Sequence, residues 1–302
     1  MTDQCLGIIS TGDMGSAVAR VLTAAGRRVV TVTSDRSPRT VERARSAGAE
    51  SVDTLDELVT EADVVVSIVP PGAATDVADR LAACTRSLGS SPIVIDANAV
   101  SPSTAEGIAR TLEAAGARFV DGDIIGGPPA AGKPPTRLYL SGAHAEHVAG
   151  LLGCPELRAV TLSGPAMGAS SLKMAYAAWS KGSAALALTA WALAKSLGVE
   201  GALLDEWEES QPELRRLCEN AARGAGRAWR FVAEMDQIAA ALDSVYLPTG
   251  AAAGAASVYQ RLAPLKGEQG PPMETVLDLL MSSTDTRPGP GATSHHGMRS
   301  RS

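Results

Sequence analysis

The chain has 302 residues, 45% hydrophobic and 20% charged, with 27 lysines and arginines against 33 aspartates and glutamates and a net charge of −6. That length allows two domains with cores of their own, and the composition excludes a mostly disordered chain. The acidic balance, without a long basic stretch, argues against a dedicated nucleic-acid binder, because neutralising phosphates needs clustered cations.

Short β-branched runs at 6–10, 28–33, 64–69, 93–96 and 118–121 predict strands, and the stretches 15–25, 37–47, 73–84 and 102–115 between them predict helices. This alternation is the signature of a parallel sheet with right-handed crossovers. Two further runs, 137–141 and 159–163, are expected to extend the sheet edge. After Gly164 the texture changes: 166–197 is free of proline and apolar on most faces, which predicts a long buried helix. Helices are expected at 203–209, 212–224, 229–245, 250–261 and 272–280, and the Pro- and Gly-rich end lacks any period. The expected organisation is an α/β Rossmann-type doubly wound sheet over 1–163, an all-α domain over 164–284, and a disordered tail over 285–302.

Cys5, Cys84, Cys154 and Cys218 form no C-x-x-C pair, so neither a zinc site nor a disulfide framework is suggested. No apolar run approaches the length of a spanning helix, and the first residues lack a leader pattern, so a cytoplasmic, non-membrane protein is expected. His144 and His147 lie three apart beside Glu146 without an evident third ligand, and no metal is expected.

The first strand runs into Ser10-Thr11-Gly12-Asp13-Met14-Gly15, where a G-x-G-x-x-G fingerprint belongs. Gly12 would admit a pyrophosphate to the backbone, Gly15 would let helix and strand approach, and the helix N-terminus would offer amides and a positive dipole end. Ser10 stands where the first glycine belongs, which weakens the motif unless its backbone angles are ordinary. The second strand ends at Ser34-Asp35-Arg36-Ser37-Pro38-Arg39. Asp35 keeps NAD open, but Ser34, Arg36, Ser37 and Arg39 put hydroxyls and two cations in one loop, and NADP is the cofactor expected. Val69-Pro70-Pro71 and the Asp96-Ala97-Asn98 turn close later strands at the same carboxyl edge, making Asn98 a candidate for cofactor contact and for catalysis.

The run from Gly7 to Gly15, the Asp96-Ala97-Asn98 turn, the segment from Asp121 to Gly127, and Lys173 together resemble the β-hydroxyacid dehydrogenases. That family includes 3-hydroxyisobutyrate and 6-phosphogluconate dehydrogenases, with imine reductases as cousins. The likeness is strongest to a 6-phosphogluconate-dehydrogenase-like subgroup with a C-terminal domain of undetermined function. It implies an NADP-dependent oxidoreductase moving hydride between nicotinamide and a hydroxyl or carbonyl carbon, with Lys173 as general acid/base. Desolvation between two domains is expected to lower the pKa of that lysine.

Two departures from the family pattern bear on substrate. A serine that helps hold the substrate carboxylate is replaced by Ile125, before Gly126 and Gly127. The family's asparagine just after the lysine is absent, and Tyr176 lies one helical turn on. Tyr176 has two readings, a hydroxyl donor to substrate or an amphipathic core residue. The changes argue against 3-hydroxyisobutyrate and 6-phosphogluconate, toward something bulkier or less acidic. Lys181, Trp229, Arg230, Glu234 and Met235 are candidates to line the substrate side; the alternative puts Trp229 and Met235 in the core and makes Arg230 and Glu234 a surface pair. The long apolar helix implies a homodimer with a small-molecule substrate. Two rival functions stand beside the dehydrogenase: NADPH-dependent imine reduction, and dinucleotide binding without turnover, which the Ile125 replacement favours.

Overall fold

The computed structural model describes residues 4–282. The expected tail lies outside the described residues. Eight strands form one sheet in the order β3-β2-β1-β4-β5-β6-β7-β8. They are β1 (Cys5–Ile9), β2 (Arg28–Val32), β3 (Glu50–Val52), β4 (Val64–Ser67), β5 (Ile93–Asp96), β6 (Arg118–Ile125), β7 (Thr136–Ser141) and β8 (Leu157–Thr161). The first six pair in parallel, β7 runs antiparallel to β6, and β8 is parallel to β7. Strand order reverses direction between β1 and β4, the switch point at which doubly wound sheets open a ligand crevice.

The crossover helices are α1 (Asp13–Ala24), α2 (Pro38–Ser46), α3 (Leu55–Glu61), α4 (Ala74–Leu88) and α5 (Pro102–Glu113), with α6 (Ala145–Leu152) between β7 and β8. Ser37, Thr54 and Ser101 cap α2, α3 and α5 by accepting a backbone N–H three residues on. Apolar side chains cover both faces of the sheet, Ile8, Leu22 and Ile95 on one side and Val30, Leu81 and Val94 on the other. Near-continuous apolar strands are what a parallel sheet buried on both faces requires.

Two differences from the expected elements have physical causes. β3 and α3 were not anticipated, because three and seven residues are too few to display a period. β6 continues past the expected end at residue 121 to Ile125, since Asp121 and Asp123 interrupt the apolar pattern although both are buried.

The rest of the described chain is helical. α7 (Gly168–Ser196) has 29 residues and runs from β6 into a cluster of α8 (Glu200–Ser210), α9 (Glu213–Arg223), α10 (Ala228–Ser244), α11 (Gly250–Arg261) and α12 (Met273–Met281). Leu188, Trp191, Met235, Tyr259 and Leu277 build that core. α10 turns one face to the sheet: Arg230, Glu234 and Gln237 follow the i, i+4, i+7 spacing of a helix stripe. The Gln237 side-chain oxygen accepts from Ser101 N at 2.8 Å and from the Thr104 hydroxyl at 2.9 Å, tying α10 to the head of α5. Another face of α7 is uncovered, with Trp179 77% and Leu186 72% exposed. No helix of the described residues is long and apolar enough to cross a membrane.

Candidate functional site

The carboxyl ends of β1, β2, β4, β5 and β6 meet along one edge, and each predicted site segment leaves the sheet there. At the β1–α1 turn, Ser10 has φ +72°, in the left-handed region that favours glycine, so the condition of ordinary angles set for this position is not met. Gly15 touches this turn so closely that a Cβ on it would lie 2.0 Å from the Ser10 carbonyl oxygen. Gly12 is the N-cap of α1 and contributes no side-chain cap, leaving the first-turn amides unclaimed by a side chain. Thr11 is buried and donates its hydroxyl to Thr40 O at 3.2 Å, fastening the turn to α2. Asp13 pairs with Arg43 and, at 3.8 Å, with Arg230 from α10. Met14 packs on the sheet core.

Between β1, β2 and β4 opens a cavity of about 320 Å³ lined by Ser10, Arg36, Val69, Pro70, Asp76 and Arg80 among others. Ser34, Arg36, Ser37 and Arg39 are all exposed at the tip of β2, and Asp35 stands there with φ +58°. Asp76 and Arg80 on α4 were missed in the sequence because they lie outside any fingerprint. Pro71 begins a short 3-10 turn, Pro71–Ala73, that precedes α4. This crevice, with an uncapped helix N-terminus and a glycine-dependent close approach beside it, suits the diphosphate and adenosine parts of a dinucleotide.

Asn98 is 1% exposed and committed within the protein. Its oxygen accepts from Val69 N at 2.6 Å, and its amide donates to the Ser67 hydroxyl at 3.1 Å and to the Asp96 carboxylate. Both amide N–H groups are thereby used, so the side chain braces the β4 and β5 ends and leaves no donor for catalysis. The other Asp96 oxygen has no hydrogen-bond partner, and burial pushes the carboxyl up to about 8.

At the end of β6 the sheet meets α7. Asp121 accepts from the Ser141 hydroxyl at 2.8 Å, from Ser170 N at 3.0 Å and from the Ser170 hydroxyl, while Ser141 Oγ accepts from Ala169 N at 3.0 Å. Strands β6 and β7 thus supply the N-terminal cap of α7, which has none of its own from Met167. One turn on, Lys173 Nζ donates to Asp123 Oδ1 at 2.9 Å and to Ile124 O at 2.6 Å. Its side chain is 13% exposed and that of Asp123 only 1%. Two of three ammonium N–H bonds are used, leaving one for a ligand.

The electrostatics differ from the sequence-based expectation. Burial works against the Lys173 charge, but Asp123 and Glu234 face it and together hold its pKa above the ordinary lysine value. Burial pushes the Asp123 carboxyl up to about 7, against the pull of Lys173. Asp123 was missed, although an acid inside an apolar strand end was the signal available. Glu234 is likewise buried, 3.0 Å from Lys181 Nζ, and does not form the surface pair with Arg230 that spacing allowed.

Of the other candidates, Ile125 is buried at the strand end, while Gly126, with φ +129°, and Gly127 are exposed beyond it. Tyr176 is 48% exposed, which removes its core reading. Trp229 is half-buried, with Lys266 Nζ 4.3 Å from its ring centroid and the Arg230 guanidinium carbon at 5.3 Å. Met235 is a correction: at 1% exposure it belongs to the helical core, because it lies off the Arg230–Glu234–Gln237 stripe. Among the described residues no cluster of metal-ligating side chains occurs.

Residues 5–151 match the family model described as the NAD binding domain of 6-phosphogluconate dehydrogenase, and residues 194–262 match a domain of unknown function. The N-terminal part of the chain is thus similar to the NAD binding domain of 6-phosphogluconate dehydrogenase. The mitochondrial 3-hydroxyisobutyrate dehydrogenase of Drosophila melanogaster is 28% identical to this chain over 143 residues, 47% of this chain and 43% of that enzyme. The chain therefore matches less than half the length of that relative. The fold is shared with the Mycobacterium tuberculosis 3-hydroxyisobutyrate dehydrogenase solved with L-serine, at 19% identity and TM-score 0.70, covering 92% and 99% of the two chains. It is shared too with an Aspergillus terreus reductive aminase solved with NADPH4, cyclohexanone and allyl amine, at 20% identity and TM-score 0.54, covering 92% and 100%.

Proposed function

We propose that this protein is an NADP-dependent oxidoreductase that transfers hydride between nicotinamide and a hydroxyl or carbonyl carbon of a small substrate, with Lys173 as the general acid/base. The observation that carries this reading is the Lys173 ammonium, held at the sheet edge by Asp123 and Ile124 with one N–H free. NADPH, when bound, supplies the hydride. In the reductive direction the free N–H of Lys173 donates its proton to the substrate oxygen; in the oxidative direction the neutral amine takes it back. A pKa raised above the ordinary value keeps Lys173 protonated at neutral pH, which favours the reductive role.

The α1 amides, Gly12 and Gly15 would receive the diphosphate, with Ser10, Thr11, Asp13 and Met14 shaping the turn. NADP is preferred to NAD because Arg36, Arg39, Ser34 and Ser37 are exposed together at the β2 tip and Arg80 lines the same crevice as Arg36. Val69, Pro70 and Pro71 would wall the cofactor, with Asn98 holding that loop in place. Ile125, Gly126, Gly127 and Tyr176 would contact substrate. The four free thiols suit a reducing cytoplasm, and the uncovered α7 face suits a homodimer.

A second reading, reduction of a C=N bond, is favoured by Ile125 in place of a carboxylate-holding hydroxyl and by the exposed Tyr176. The test is NADPH oxidation across ketones, hydroxy acids (run in reverse with NADP) and cyclic imines, with Lys173→Ala as the control. Tight NADPH binding without turnover on the whole panel would leave a dinucleotide-binding protein instead.

A further inference from the structure

Resting on that reading, we propose that the substrate carries no carboxylate beside the reacting carbon: the site is built for an uncharged carbonyl or a cationic C=N group. Four ionisable side chains from three elements form a linked set at Lys173, joined through Asp123 and Glu234. They are Asp123 from β6, Lys173 and Lys181 from α7, and Glu234 from α10. Each ammonium already has its own carboxylate, Lys173 with Asp123 at 2.9 Å and Lys181 with Glu234 at 3.0 Å. Asp123 and Glu234 are buried, so their charges are poorly screened.

The four formal charges sum to zero before any substrate enters. A hydroxy or keto acid would bring a fifth, negative, charge to a set whose two ammonium groups each already have a carboxylate, and burying an uncompensated anion is unfavourable. Ile125, next to the carbonyl that Lys173 holds, is a buried apolar side chain and offers a carboxylate no donor. Nothing in the set opposes a neutral ketone, whose oxygen needs only the spare N–H of Lys173. A protonated imine gains from Glu234 and Asp123. For that substrate the balance differs by one proton: hydride adds to the iminium carbon and the amine forms without a proton from Lys173.

The test compares 2-butanone, 1-pyrroline and acetoacetate as probes with the full-length protein and NADPH. The expected result is a kcat/KM for the ketone or the cyclic imine at least tenfold above that for the keto acid. Glu234→Gln, which frees the Lys181 charge, is expected to raise the ratio of the acetoacetate to the butanone kcat/KM about tenfold, and an unchanged ratio counts against the proposal. Equal or better use of acetoacetate by the unaltered protein overturns the proposal. If NADPH binds and no probe turns over, the catalytic reading fails separately, and calorimetry on the NADPH-loaded protein decides the charge question. Butylammonium binding more tightly than butyrate supports the inference, and butyrate binding as well or better overturns it.

Discussion

The Ser10 carbonyl oxygen occupies the space a side chain on Gly15 would need, 2.0 Å from an ideal Cβ. The turn and the helix that follows it are therefore fitted to each other through a bare α-carbon. Gly15→Ala must push α1 off the turn, and we expect at least a tenfold loss of dinucleotide affinity by calorimetry, with about 1–3 kcal/mol lost in urea unfolding. An affinity within twofold of the parent would separate this contact from cofactor binding.

Ser10 itself holds a left-handed conformation that costs an L-residue about 1–2 kcal/mol. Ser10→Gly relieves that strain but enlarges the entropy of the unfolded chain by about 0.5–1 kcal/mol. The net expectation is a gain of about 1 kcal/mol or less, read from the urea midpoint at constant m-value.

The Lys173–Asp123 pair sets the protonation state of the proposed acid. Burial alone would lower the lysine, and the facing carboxylates raise it. Asp123→Asn removes the nearer carboxylate, so the Lys173 pKa is expected to fall. Reduction, which needs the ammonium, should then lose activity on a basic limb at least one pH unit below that of the parent in a kcat/KM profile. Lys173→Ala is expected to cost a hundredfold or more at every pH. An unmoved basic limb in Asp123→Asn would show that Asp123 does not control the proton.

Apart from β3, the sheet was legible because its strands are β-branched runs buried on both faces, and the head of α1 announced itself through Gly12. The site was legible where it uses local motifs, at residues 10–15 and 34–39. It was not where partners are distant in sequence. The cap of α7 comes from Asp121 and Ser141, and the Lys173 partner is 50 residues away. Glu234 misled for a related reason: its spacing from Arg230 fits a surface pair, but each side chain reaches across to another element, Lys181 and Asp13.

Asp96 offers a stability test with a defined sign. Its folded pKa, about 8, lies above that of an unfolded aspartate near 4, so the unfolded chain gives up its proton first as pH rises. The contribution of this residue is thus fully present below about pH 4 and is lost progressively toward pH 8, by up to about 1.4 kcal/mol for each unit crossed. Asp96→Asn keeps an oxygen for Asn98 and should flatten the decline, making the variant more stable than the parent at pH 8. Parallel stability curves from pH 5 to 8 would count against a raised Asp96.

Cofactor choice rests on the β2 tip. Arg36 and Arg39 form no ion pair among the described residues and are exposed, so their charges are available to a 2′-phosphate. The double variant Arg36→Ala/Arg39→Ala is expected to weaken NADPH binding at least tenfold while changing NADH binding less than twofold. Equal losses for both coenzymes would place the two arginines outside the discriminating contact.

The uncovered face of α7 predicts the assembly. Trp179, Leu186 and Leu193 stand 77%, 72% and 57% exposed at spacings of seven residues, a stripe along one side of a helix that elsewhere forms the helical core. Trp179 and Leu186 form part of the wall of an apolar groove of about 730 Å³, whose other lining includes Trp207, Ile238 and Val258. Exposed apolar surface of this continuity is removed from water most directly by a second copy, with the stripe of one subunit entering the groove of the other and the reverse. Leu186→Glu would set a charge at the centre of both stripes, and because the side chain is exposed the subunit fold should survive. Light scattering is expected to give the dimer mass for the parent and half of it for the variant, with unchanged circular dichroism; a monomeric parent would leave this face without a self-association role.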